Sequence, residues 1–143
     1  MTADSFNLQR FVDAQDGEID LARAELKTGC KGGHWMWFIF PQMKGLGSSG
    51  TANYYGISCR AEAEAYLSHP VLGPRLVECT ELANLIERRS AVDIFGYPDW
   101  LKFRSSMTLF AALDPGATSF SKALDKYFDG EPDRRTLSLL ERT

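Results

Sequence analysis

The sequence predicts an all-α fold, a single irregular multihelical domain of about seven short helices. Apolar residues recur at helical spacing through most of the chain, capping residues and glycine or proline stops fall at the ends of those stretches, and no segment offers a convincing strand partner. At 143 residues, with 44% hydrophobic and 24% charged side chains, the chain is long enough for one proper core and has the composition of an ordinary folded domain. One helical domain over residues 1–143 is the expectation.

Phe6, Leu8, Phe11, Val12 and Gln15 lie near one helical face, with Asp4 or Ser5 as N-cap, until Gly17 interrupts. A second helix runs from Glu18 to Lys27, closed by Thr28-Gly29 with glycine just past the end. Cys30-Lys31-Gly32-Gly33 then forms a hinge ahead of His34–Gln42. That run is apolar on every side and reads as a short helix stopped at Pro41. Met43–Gly50 is a glycine and serine loop of the kind that often carries function. Thr51–Gly56 reads as a helical turn, and Ser58 as the cap of a helix from Arg60 to Ser68 that His69-Pro70 ends. Val71–Arg89 has the plainest helical pattern, through Leu72, Leu76, Cys79, Leu82, Ala83 and Ile86. Ser90 to Asp93 spells a capping box, closed by Gly96. Pro98 opens a helix reaching Leu113, Thr118 or Ser119 opens Phe120–Phe128, and Asp133 caps the last helix.

Sixteen basic against nineteen acidic residues argue against a broad footprint on duplex nucleic acid, while leaving room for a local phosphate pocket. The three cysteines have no CxxC spacing, which fits reduced thiols rather than a disulfide framework or zinc site. Only His34 and His69 supply imidazole, so no histidine-rich metal site is expected, and no signature implies a cofactor. The start of the chain lacks a signal-peptide pattern and Trp35–Pro41 is too short to span a bilayer. A cytoplasmic protein without membrane association is the expectation.

The chemistry-bearing residues concentrate around His34–Gly47. An imidazole, two indoles, two phenyl rings and an amide fall within His34–Gln42, beside a double glycine. Trp35, Phe38, Ile39 and Phe40 read as core, whereas His34, Trp37 and Gln42 have polar groups that a ligand would satisfy. Lys31 and Lys44 bracket the run beside glycine-rich backbone that would suit a phosphate, although solvated lysines are the blander reading. Arg10 and Gln15 of the first helix are spaced to reach a shared pocket, although an exposed arginine beside a helix-boundary glutamine is the blander reading. Asp99, Lys102 and Ser106 share a helical face that is either a surface ion pair or a polar cleft wall. His69 before Pro70 reads as a helix terminator rather than a base.

Phe11–Gln15, Lys31–Trp35, Trp37–Gln42, Gly45–Gly47, Tyr66–Pro70, Leu72–Arg75, Ile94–Gly96 and Ser105–Phe110 together resemble domain of unknown function family 1810, over Leu8 to Leu140. The resemblance implies an all-helical bacterial protein with no established activity. Phe11-x-x-Ala14-Gln15 also resembles, more remotely, the YbiA-like NADAR family, whose members act on N-glycosidic bonds of ADP-ribose derivatives or riboflavin-pathway intermediates. That family's glutamate before the aromatic residue has no counterpart here, where Leu8-Gln9-Arg10 stands. Three functions follow for test: a binder of a nucleotide-like or aromatic small molecule, an N-glycoside hydrolase, and a structural or protein-interaction module. For the first two, Trp37 would stack, His34 and Gln42 would orient the ligand, Lys31, Lys44 or Arg75 would hold phosphate, and Gln15 and Lys102 would line the pocket. Glu25 or Asp99 would be the acid or base of a hydrolase. The sequence leaves oligomeric state open.

Overall fold

Two long helices form the spine of the computed structural model, which describes residues 4–143. They are α6 (Leu72–Leu85) and α8 (Asp99–Ala111). Around them stand α1 (Gln9–Asp16), α2 (Ile19–Thr28), α3 (Met36–Ile39), α4 (Gly50–Tyr55), α5 (Arg60–Ser68), α7 (Ala91–Phe95), α9 (Ser119–Phe128) and α10 (Arg134–Glu141). Helix α8 meets α3, α5, α7, α9 and α10, and α6 meets α2, α3, α5 and α9. One hydrophobic core therefore runs from Leu8 and Phe11 through Trp35, Phe40 and Tyr66 to Phe103, Phe110 and Leu140. The fold is all-α, and among the described residues no helix is long and apolar enough to cross a membrane.

Among the described residues the helix count is ten rather than about seven because α3, α4 and α7, each only a turn or so long, are held as true helices. Their neighbours hold them: isolated pieces of that length are far below what propensity alone sustains. Neither Asp4 nor Ser5 is the N-cap of α1, which is Leu8, but the Asp4 carboxylate still accepts the Leu8 and Gln9 amides at 2.6 and 2.9 Å. Gly29 closes α2 in the left-handed conformation at φ 79°, the Ser90–Asp93 capping box forms at the start of α7, and Thr118 and Asp133 cap α9 and α10.

Two further local expectations are corrected. Ser58 does not cap α5; its N–H and hydroxyl donate to Glu62 at 2.9 and 2.7 Å, so the carboxylate is the acceptor and Cys59 occupies the cap position. Helix α6 stops at Leu85 instead of running to Arg89. Its last carbonyls are drawn off by α9, where Lys126 Nζ donates to Asn84 and Ile86 and Tyr127 donates to Ala83. A cation at a helix C-terminus also favours the helix dipole.

A buried ion pair ties the N-terminal segment to α5. Arg10 meets Glu62 at 2.7 Å with the side chains only 8% and 3% exposed. Arg10 also donates to the carbonyls of Phe6, Asn7, Tyr54 and Gly56, so its charge is desolvated but fully engaged. A parallel β-bridge between Met43 and Ile57 fixes the chain after α3, with Ile57 N–H donating to Gln42 and Lys44 N–H to Ile57. This bridge sets where Gln42 stands.

Candidate functional site

The double-glycine hinge is organised by Glu25 of α2. Its carboxylate accepts the Gly32 and Gly33 amides at 2.9 Å each and the Trp35 indole N–H at 2.7 Å. A Cβ on Gly32 would stand 2.9 Å from that carboxylate, so glycine permits the close approach. Burial works against the Glu25 charge, but the bonds from Gly33, Trp35 and Gly32, with Lys31 nearby, outweigh it and hold the carboxyl below its usual range. Trp35 is thereby locked into the core and the loop is aimed at α8.

Lys31, whose side chain is 7% exposed, pairs with Asp99 at the start of α8 at 2.7 Å. Lys102, one helical turn on, meets the other Asp99 oxygen at 3.2 Å and lies 3.7 Å above the Trp37 ring. Two ammonium groups thus share one carboxylate, leaving the cluster net positive. Lys31, His34, Met36, Trp37, Asp99 and Lys102 surround a small hollow of about 130 Å³, with His34 exposed at its rim.

The Trp37–Lys102 pair also borders a larger cleft of about 270 Å³ between the glycine loop, α8 and the start of α10. Trp37, Leu46, Pro98 and Leu101 give it apolar walls, while Gln42, Lys102, Arg104, Ser105, Asp133 and Arg135 give it polar edges. Gly47 makes the loop fit: its α-carbon lies so close to α4 that a Cβ would stand 2.9 Å from the Ala52 methyl and 3.9 Å from Trp37. Gln42 is 9% exposed and lines this cleft, yet its side-chain amide makes no hydrogen bond among the described residues. Its polar atoms are not sealed in the core, so they open on the cleft, where a ligand or water can bond them. An aromatic wall, an unpaired amide and surplus positive charge are the means to hold a small planar or sugar-like anion.

A family model for proteins of unknown function, DUF1810, matches residues 5–140. The chain belongs to this family. The crystal structure of a conserved hypothetical protein from Mycobacterium tuberculosis is similar at 54% identity, covering 98% of this chain and 100% of that one with a TM-score of 0.95. No curated protein matches. Family and fold are thus settled, and neither brings a reaction with it.

In this DUF1810 chain the residues singled out by sequence fall in several places. Trp37, Gln42 and Lys102 share the larger cleft, and Lys31, His34 and Asp99 adjoin it through the smaller hollow. Glu25 lies beneath the hinge. Gln15 is 1% exposed, donates to the Phe38 carbonyl and the Tyr66 hydroxyl, and accepts from Arg75, which also pairs with Asp16; both serve internal packing. Lys44 stands apart beside Arg10, Asn53 and Tyr54. His69 is the C-cap that ends α5, and its Nδ1 accepts the Val71 and Leu72 amides at the start of α6. Ser106, read on the Asp99 and Lys102 face, is wholly buried. Burial pushes the Cys79 thiol up to about 12, which makes it an inert core group.

Sequence reasoning missed Arg104, Ser105, Arg135 and the second role of Asp133. Ser105 belongs to the quoted Ser105–Phe110 motif, and Asp133 announced itself only as a cap. Nothing in the local pattern tells that α10 begins against α8.

Proposed function

We propose that this chain binds a small nucleotide-like or aromatic ligand carrying negative charge, in the cleft edged by His34–Gly47. The observation that supports this most is Gln42: a largely buried residue whose amide has no internal partner and opens on the wall of a cleft whose other side is an indole under a lysine. A volume of about 270 Å³ lies just under the roughly 300–1,000 Å³ of pockets for drug-sized ligands, so a nucleoside-sized piece is held and the remainder of a longer molecule stays in solvent.

Binding is favoured over N-glycoside hydrolysis by the state of the two carboxylates expected to act. Glu25 is engaged by three donors and kept ionised, and Asp99 is shared by two ammonium groups. Glu25 is therefore not poised to hold and give a proton near neutral pH, and both Asp99 oxygens are taken up by the two lysines. The test is a thermal-shift and calorimetric screen with ADP-ribose, NAD, nucleosides and riboflavin-pathway intermediates, followed by product analysis over hours. Saturable binding without turnover is the expected result. Trp37→Ala should weaken it by roughly tenfold or more, the value of one stacking platform, and Gln42→Ala should weaken it too. Absence of any saturable response, or binding that survives both substitutions, removes the cleft as the site.

A further inference from the structure

Asp133 has a second feature besides its cap. Its Oδ2 takes the internal donors, the Thr136 N–H at 3.0 Å and the Thr136 hydroxyl, with the Ser105 hydroxyl 3.3 Å away and shared with the closer Leu101 carbonyl at 3.0 Å. Its Oδ1 has no hydrogen-bond partner among the described residues, and the residue lines the same cleft as the unpaired Gln42 amide. The carboxylate is held rigidly, since the Asp133 N–H is itself fixed on the Thr108 hydroxyl at 2.8 Å. One fixed acceptor and one free amide therefore border the space next to Trp37.

The surroundings decide what such an acceptor takes. Lys102, Arg104 and Arg135 border the cleft, which disfavours a cationic group as the partner of Asp133. The donor must be neutral. A vicinal diol suits the pair: each hydroxyl both donates and accepts, the carboxylate only accepts, and the glutamine amide does both. The C–H face of a sugar ring suits the Trp37, Pro98 and Leu101 walls. Arg104 is committed to the Glu131 and Pro132 carbonyls, whereas Arg135 is exposed and among the described residues its side chain hydrogen-bonds only the Gly45 carbonyl, at 3.4 Å. Arg135 is thus the cation available for a phosphate at the cleft mouth.

We propose that the cleft recognises a ribosyl phosphate, with Asp133 and Gln42 reading the ribose hydroxyls and Arg135 the phosphate. This rests on the binding function proposed above and specifies its ligand class. The test is calorimetry with ribose 5-phosphate, 2-deoxyribose 5-phosphate, AMP and 2′-deoxy-AMP on the wild type and on Asp133→Asn. Asparagine caps helices as well as aspartate does, so the variant is expected to keep its melting temperature while placing a donor where the acceptor stood. The ribo forms are expected to bind 10- to 100-fold more tightly than the deoxy forms, the worth of a hydrogen bond to a charged group, and Asp133→Asn to erase that preference. Equal binding of AMP and 2′-deoxy-AMP by the wild type overturns the ribose reading and leaves ligand binding standing, and it needs no variant. If none of the four probes binds while other aromatic anions do, the ribosyl class is likewise excluded; if nothing binds at all, both readings fall.

Discussion

Glu25 shows how much a single carboxylate does at the edge of the cleft. It satisfies the amides of the hinge and the Trp35 indole together. Glu25→Ala would leave those donors without a partner and should cost about 2–4 kcal/mol, measured by urea unfolding at neutral pH. The pH dependence has a fixed sign. The folded carboxyl titrates below its ordinary value of 4.5, so its stabilisation is complete above that pH and is lost as the pH falls through the lower folded value. Glu25→Gln should therefore lose less stability on acidification than the wild type; parallel acid curves would refute this assignment. At the same scale, Arg75→Ala and Lys44→Ala should leave ligand affinity unchanged in the calorimetric assay, because neither residue borders the cleft. The sequence marked Trp37, Gln42 and Lys102 by residue type and by their place beside glycine loops. It marked Arg75 and Gln15 equally well. Only the fold separates the two sets, since Gln15 and Arg75 turn toward the Tyr66 side of α3.

Among the elements, the junction of α5 and α6 leaves no room for a side chain at Gly73. A Cβ added to Gly73 would sit 2.1 Å from the Leu67 carbonyl oxygen, a backbone atom with no room to yield. Gly73→Ala should destabilise by about 3 kcal/mol, lowering the urea midpoint without removing helicity from the remainder; a neutral effect would mean that the two helices can slide apart freely. The far end of α6 depends on α9. Lys126→Met removes the donor that caps the Asn84 and Ile86 carbonyls and should cost about 1 kcal/mol by thermal melting, with faster amide exchange confined to the last turn of α6. Helix starts were legible because Ser90, Thr118 and Asp133 carry their own acceptors. The end of α6 was not, because Lys126 is forty residues further on, and no periodicity within residues 72–89 announces it.

Across the whole molecule, the shared core and the Arg10–Glu62 pair join the first helix to the rest. We expect one cooperative transition, with far-ultraviolet circular dichroism and tryptophan fluorescence coinciding; two separated transitions would show that the chain is not one folding unit. Arg10→Met alone should cost about 3–5 kcal/mol by leaving the Glu62 charge buried and unpaired. The sequence by itself determined the helical class, most helix starts, the family and the concentration of polar and aromatic groups around His34–Gly47, because capping and 3.6-residue periodicity are local and act wherever the chain goes. Tertiary structure alone decided that Gln42 ends unpaired at a cleft wall, that Asp99 is spent on two lysines, and that Asp133 at the start of α10 shares a cleft with Trp37 of α3. Those facts depend on contacts between segments up to ninety residues apart, such as Arg135 with Gly45, and no local pattern encodes which groups will meet.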